Sequence, residues 1–391
     1  MLAGGVCIVL PIPHNSEAKV LGVKMGEPWH IARQRPEVRS VAWYSSNYAL
    51  YADMSRRMYE VLQDHVPTVE PYSIDEMFLD LDALPGDLHE RCAEIRDAVW
   101  CHAKIPTCIG WGPTKTIAKL ANGLAKSSMR FGGLCDLTNV QIRQEWYAVT
   151  SIEEVWGIGR KTVKKLQMMG VQTIADFVEL DPKVARKLLT VVGARVQAEL
   201  KGQSCLALSD VASARKSIAS TRTFGRLLTE WNEIREALAC YATRAAEKLR
   251  SENLEAAHIS VFLQTNPNSS DPKYYKHIGG NIEPTSDTRD LIQHAAVFGK
   301  AAWLPHYRYF KAGVILTDLR PMGMQSELFM KRQPETSKMA MKIMDHINAR
   351  FGTGTLRASS IGIKQNWIPR SAFRSGRYTT CISEIIKAKS W

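Results

Sequence analysis

No Cys-x-x-Cys pair and no His-x-x-x-His step occurs in this chain, although it carries eight cysteines and ten histidines. Cys7, Cys92, Cys101, Cys108, Cys135, Cys205, Cys240 and Cys381 are scattered, which argues against a zinc site or a disulfide framework and fits a reducing cytoplasm. No apolar run approaches the roughly 20 residues that span a bilayer. The apolar start, Met1 to Leu10, lacks a basic leader and a small-residue cleavage site, and it reads as a buried strand. Internal repeats and low-complexity tracts are also missing, which excludes a solenoid or a long disordered arm. The most consequential absence is local: the first 52 residues contain no aspartate.

What is present points to a globular protein with a polyanionic partner. The 391 residues are 45% hydrophobic and 23% charged, enough for two to four domains. A formal net charge of +12 favours nucleic acid, because lysine and arginine that neutralise phosphates release condensed counterions.

The hydrophobic period switches several times along the chain. Residues 1 to about 47 form a small basic unit with a short strand and helical spacing from Ser16 to Leu21. From Tyr48 the pattern runs helix (48 to 65), strand pair (68 to 81), helix (88 to 104), strand (107 to 110) and helix (114 to 126), an α/β or α+β layer. Residues 136 to about 205 read as short helices punctuated by Gly157, Gly159 and Gly170. A β-rich unit follows from Lys216 to about Leu319, with a helix whose stripe is Trp231, Ile234, Leu238, Tyr241, Ala245 and Leu249. Beyond Pro321 a tail shows little obvious core.

Three segments carry chemistry. Asp75 and Glu76 are adjacent carboxylates flanked by Tyr72, Ile74, Met77, Phe78 and Leu79, which suggests either metal ligands or a structural acidic turn. Successive strand residues point to opposite faces, so a shared metal demands a turn or bulge between Ile74 and Met77. Lys115, Lys119, Asn122 and Lys126 fall at steps of four, three and four, one polar stripe opposite Ile117, Leu120, Ala121 and Leu124. That helix is either an ordinary surface helix or an anion-facing one, with Gly110 to Pro113 bringing backbone near a ligand at its N-terminus. Lys126 is the residue expected at a triphosphate. Finally, Val155-Trp156-Gly157-Ile158-Gly159 followed by Arg160, Lys161, Lys164 and Lys165 has the form of a helix-hairpin-helix, which binds DNA phosphates through backbone N–H groups; a plain αα turn is the alternative.

In this order the segments resemble the Y-family lesion-bypass DNA polymerases, most closely those of UmuC type. The resemblance rests on Glu17 to Gly26, Tyr44 to Ser55, Tyr72-Ser73-Ile74-Asp75-Glu76, Lys115 to Lys126, Trp156 to Gly159, Thr221 to Gly225, Arg244 to Arg250 and Arg377 to Thr380, and it covers nearly the whole chain. It implies a multidomain α+β right hand: fingers 1–47, palm 48–135 with an antiparallel sheet, helical thumb 136–205, β-α-β little finger 214–320 and a UmuC-type tail 321–391. It further implies error-prone translesion DNA synthesis in DNA repair and the SOS response, using dNTPs, primer-template DNA and Mg²⁺. Asp75 and Glu76 would be the metal ligands and catalytic carboxylates, Lys19 and Lys126 would hold the triphosphate, and Gly157, Gly159, Arg160, Lys161 and Arg222 would contact DNA. Gln325-Ser326-Glu327-Leu328-Phe329 resembles the peptide that docks polymerases in a sliding clamp, through Gln325, Leu328 and Phe329. A UmuD-type dimer and a RecA filament are the expected further partners, in the cytoplasm and without a membrane.

The start departs from that family. Its members carry a metal-binding Asp on the first strand followed by aromatic residues, and this chain has neither. A lost or frameshifted upstream segment is the expected cause, and polymerase activity of the chain as written is expected to be very weak or absent. A non-catalytic DNA- and clamp-binding remnant is therefore the alternative. The basic aromatic segment with Arg370, Phe373, Arg374, Arg377 and Tyr378 could touch nucleic acid or protein, or be solvated.

Overall fold

The computed structural model describes residues 5–9, 18, 20–24, 27–208, 215–323, 334–363, 365–369 and 373–387. The chain forms two compact units, Met1–Ala212 with Ala372–Trp391, and Ser213–Ser371.

The first unit is built on a five-stranded sheet: β1 (Gly5–Val9), β2 (Val69–Pro71), β3 (Glu76–Asp80), β4 (Cys108–Gly112) and β5 (Leu134–Asp136), in the order β2-β3-β1-β4-β5. All neighbours are antiparallel except β4 and β5. Helices α2 (Tyr48–Gln63) and α3 (Leu88–Ala103) cover one face, after a short helix α1 (Trp29–Ala32). There Met77, Leu79, Ile109 and Trp111 pack against Met58, Leu62, Ile95 and Val99. Each such side chain contributes about 1.5–3 kcal/mol by leaving water.

The opposite face carries α4 (Lys115–Ser127). Alternation along β3 puts Glu76 and Phe78 on this side, and Phe78 packs with Ala118 of α4. Gly110 allows the close approach: a Cβ there would lie 2.0 Å from the backbone N of Asn122. This glycine therefore serves helix-on-sheet packing rather than the ligand contact that its neighbourhood suggests from sequence.

Short helices follow: α5 (Val140–Val149), α6 (Arg160–Gln167), α7 (Ile174–Glu179) and α8 (Pro182–Leu200). Their core, Tyr147, Ile152, Ile158, Val163, Leu166, Phe177 and Val196, merges with the apolar face of α4. Buried Gln197 donates from Nε2 to the carbonyls of Phe177 (2.9 Å) and Leu180 (2.6 Å), satisfying the orphan C-terminal carbonyls of α7. Helix α8 is broken at Thr190, whose φ of 64° is strained for a β-branched residue. The Thr190 hydroxyl accepts from Val192 N–H at 3.4 Å and so restarts the second half.

The second unit is a four-stranded antiparallel sheet, β6 (Ser217–Leu228), β7 (Leu254–Thr265), β8 (Tyr275–Thr285) and β9 (Tyr309–Pro321), ordered β6-β9-β7-β8. Helices α9 (Trp231–Ser251) and α10 (Thr288–Ala302) bury Ile259, Val261, Leu263, Val314 and Leu316. The predicted stripe on α9 is the buried one: Ile234, Leu238, Tyr241, Ala245 and Leu249 are all inaccessible.

The tail contributes more core than its sequence suggests. Helix α11 (Glu335–Phe351) is fixed to the second unit by a two-pronged ion pair, Arg250 Nε and Nη2 to the two oxygens of Asp345, each 2.7 Å. Trp367 is buried beside Tyr241 and Phe224. Residues 373–387 pack instead within the first unit: Phe373 stacks 4.4 Å from Trp43, and Asn47 Nδ2 donates to the Ser375 carbonyl. Arg377 pairs with Glu384. Phe373 and Arg377 are thus engaged within the chain, Arg374 is exposed and bridges Ser45 through its backbone, and Arg370 lies outside the described residues.

Candidate active site

The β2–β3 hairpin positions the two carboxylates. Backbone N–H groups of Tyr72 and Ser73 both donate to the Glu76 carbonyl, so the chain turns through Ser73 and Ile74 and re-enters the sheet at Glu76. Asp75 lies in that bend and Glu76 is the first residue of β3, which meets the requirement that the chain turn between Ile74 and Met77. Ser73 Oγ–H donates to Asp75 Oδ1 at 2.5 Å. Glu76 Oε2 lies 2.6 Å from Lys119 Nζ.

The first half of the polar stripe of α4, Lys115 and Lys119, faces this hairpin rather than bulk water. Lys115 Nζ donates to both oxygens of Glu70 (2.8 and 2.7 Å) and to the Ala207 carbonyl (2.9 Å). Lys119 sits over the rings of Tyr72 (4.8 Å) and Trp156 (6.0 Å) as well as beside Glu76. Asn122 is buried, and its Nδ2 donates to the Cys108 carbonyl. Lys126, in the last turn, is exposed. Of the stripe, then, Lys119 is the member brought directly to the carboxylates.

The α4 N-terminus does receive an anion, but it is the protein's own. Glu199, completely buried on α8, accepts from Thr116 N–H through Oε2 (3.1 Å), and from Cys205 N–H (2.6 Å) and Leu206 N–H (3.1 Å) through Oε1. Thr114 Oγ donates to the Glu199 carbonyl. Sequence reasoning missed Glu199, because the helix start that it caps, at Thr114 and Thr116, lies more than 80 residues away in the chain.

Asp75 and Glu76 present a donor set of two. Asp75 Oδ2 and Glu76 Oε1 have no partner among the described residues. Also among the described residues, no group of three or more His, Cys, Asp or Glu side chains converges on a common point. One small octahedral cation fits such a pair, because it commonly takes one or two carboxylates and completes its shell with water and phosphate oxygens. Among the described residues β1 supplies no third carboxylate of the kind that bridges two ions: it pairs with both β3 and β4 and reads Gly-Val-Cys-Ile-Val.

The turn before α6 is tight. Gly157 takes φ +90°, Ile158 N–H donates to the Val155 carbonyl, and Gly159 is the N-cap of α6. Arg160, Lys161, Lys164 and Lys165 are all exposed, with no acidic residue in the first turn. Trp156 Nε1 donates to Tyr72 OH at 3.0 Å, linking this turn to the carboxylate hairpin.

In the second unit Arg222 is exposed on β6, but its register partner is Ala312, which belongs to the core under the helices. The open face of the sheet displays other groups: Tyr275 and His277 are exposed beside the buried Phe262, whose ring lies 5.8 Å from Lys311 Nζ. Lys19 and the peptide holding Gln325, Leu328 and Phe329 lie outside the described residues.

Residues 11–123 match the impB/mucB/samB family and residues 215–328 match that family's C-terminal domain. Protein UmuC of Salmonella typhimurium is 39% identical over 382 residues, 96% of this chain and 90% of that protein. The chain belongs to the impB/mucB/samB family. This UmuC-type chain is also 38% identical to Protein SamB of Salmonella typhimurium, over 97% of its length and 91% of SamB. Its last part, residues 339–388, matches a domain of unknown function (DUF4113). Among solved structures it is similar to a Y-family DNA polymerase chimera of Dbh and Dpo4, with a TM-score of 0.64 at 18% identity over 81% of this chain and 99% of that one. An insertion ternary complex of Dbh DNA polymerase gives 0.53 at 17%, with the same coverage. The fold of this impB/mucB/samB member is accordingly that of a Y-family polymerase. Strand β1 lies outside the family match. Among the described residues no helix is long and apolar enough to cross a membrane.

Proposed function

We propose that the chain is an error-prone translesion DNA polymerase that adds dNTPs to a primer 3′-hydroxyl opposite a damaged template. The observation that carries this reading is the placement of Asp75 and Glu76 at the exit of the β2–β3 hairpin, beside Lys119, in a UmuC-type chain. In this reading residues 1–47 are fingers, 48–135 palm, 136–205 thumb and 214–320 little finger, with 321–391 the tail.

Asp75 and Glu76 would hold Mg²⁺ through their open oxygens, and the ion when bound would neutralise phosphate charge and acidify the primer hydroxyl. The chain's own residues do the rest. Lys126 and Lys19 bind and orient the triphosphate. The N–H groups at the start of α6, with Arg160 and Lys161, grip a DNA phosphate without reading sequence. Arg222, on the edge strand β6, contacts the template backbone. Contacts made to backbone rather than base edges tolerate a distorted base pair.

The tail peptide with Gln325, Leu328 and Phe329 would dock in a sliding clamp, and the family resemblance supports a UmuD-type dimer and a RecA filament as partners during the SOS response in the cytoplasm. A second reading, a DNA- and clamp-binding remnant, is favoured by one observation: the strand at the centre of the first sheet carries no carboxylate.

Primer extension across a synthetic abasic site separates the two. Slow, Mg²⁺-dependent incorporation opposite and beyond the lesion is expected. Tight primer-template binding without any incorporation would select the remnant.

A further inference from the structure

Lys115 and Lys119 stand one turn apart on α4, yet they are held differently. Three acceptors surround the Lys115 ammonium: both oxygens of Glu70 and the Ala207 carbonyl. For Lys119 the one oxygen partner among the described residues is Glu76 Oε2 at 2.6 Å, and its remaining sides are covered by the faces of Tyr72 and Trp156. Side-chain exposures of 13% for Lys119 and 18% for Glu76 leave the pair open enough for a cation to arrive, and dry enough for the charge to count. A divalent ion approaching Glu76 thus meets a carboxylate already neutralised.

We propose that Lys119 is a displaceable counter-ion of Glu76, resting on a Tyr72–Trp156 shelf, and that a divalent cation and this ammonium compete for the charge of Glu76. The inference rests on the reading of Glu76 as a metal ligand. The two rings are mutually fixed: Trp156 Nε1 donates to Tyr72 OH, and the ring planes meet at 90° with centroids 5.4 Å apart. An ammonium released from Glu76 keeps its cation–π contacts and needs no new site in water. Because Trp156 immediately precedes Gly157, cation occupancy at Glu76 is coupled to the turn that presents α6. Coupling of this kind is reciprocal, so whatever moves Trp156 also changes the affinity for the cation.

The test is Mn²⁺ binding to the full chain, without DNA or nucleotide, followed by electron paramagnetic resonance. Lys119→Met should tighten Mn²⁺ binding on the order of fivefold, the worth of a partly exposed ion pair. Lys119→Gln should do the same, which guards against one substitution failing to fold. Lys119→Arg should behave like wild type. In a Glu76→Gln background Lys119→Met should change nothing. Mg²⁺ titration should also shift the tryptophan emission of wild type, and this shift should vanish in Trp156→Phe. Unchanged or weaker Mn²⁺ affinity in Lys119→Met and Lys119→Gln overturns the proposal, as does tightening that persists with Glu76→Gln, or no Mn²⁺ bound by any variant. Failure of the polymerase reading shows separately, as absent incorporation in an enzyme that still binds Mn²⁺ through Glu76.

Discussion

Glu199 Oε2 lies 3.1 Å from the backbone nitrogen of Thr116, so a carboxylate from the last turn of α8 occupies the N-terminus of α4. The same side chain ties down Cys205 and Leu206, at the start of the segment that leaves the first unit. A buried anion is tolerable here because three N–H groups and a helix dipole solvate it. Glu199→Ala would strand those donors, and the expected loss is about 3 kcal/mol of stability. Glu199→Gln, which keeps one acceptor, should lose less. Urea unfolding of the three proteins checks the order; equal stability would show that the carboxylate is idle.

Acid sensitivity has a defined source near α2. The hydrogen bond from Arg56, helped by Thr379 and Arg57, holds the Asp53 carboxyl at about 2, against an ordinary value of 3.8. Its folded pKa lies below the unfolded one, so its contribution to stability is complete above the ordinary value and is lost as pH falls through about 2. Wild type should therefore exceed Asp53→Asn in stability at neutral pH, and the two should converge as pH falls from about 4 to about 2. A gap independent of pH in thermal melts would contradict the assignment.

Arg160 and Lys161 flank the N-terminus of α6 with no acidic neighbour in its first turn. Removing both charges with Arg160→Ala and Lys161→Ala should weaken duplex binding equally for unrelated sequences. The slope of log K against log salt should fall by about 1 for each phosphate that is no longer neutralised. Fluorescence anisotropy at several salt concentrations measures this, and an unchanged slope would remove the turn from the DNA interface.

Val9 is the register partner of Glu76 on one side and of Cys108 on the other. Directly paired residues in an antiparallel sheet share a face. Val9→Asp therefore introduces a carboxylate at the register position beside Glu76, and it should raise Mn²⁺ affinity and the incorporation rate about tenfold each. Calorimetric titration and primer extension are the readouts. No gain in either would mean that the third ligand belongs at another position.

How far the sequence foretells this site depends on how local each cause is. The stripe of α4 and the buried stripe of α9 follow from 3.6-residue periodicity alone, and the turn around Gly157 follows from its glycine spacing. A shared metal at Asp75 and Glu76 would require a bend beside them, and the chain bends there. Partners are not legible in this way. That Lys115 meets Glu70 and Lys119 meets Glu76 depends on how α4 crosses the β2–β3 hairpin, which no local pattern encodes. Glu199 and Thr116 are 83 residues apart, and Asn122, expected on a polar stripe, is buried against the Cys108 carbonyl. Gly110 suggests a ligand because glycine near a helix start often does; its cause is the backbone of α4 itself.

Asp75 and Glu76 are proposed to carry nucleotidyl transfer in this chain. Single-turnover primer extension by the 391-residue protein, compared with Asp75→Asn and Glu76→Gln, tests it most directly. Slow, template-directed incorporation by wild type is expected, with a loss of at least about a hundredfold in each variant and primer-template affinity unchanged. Incorporation that survives both substitutions, or none by wild type, would contradict it.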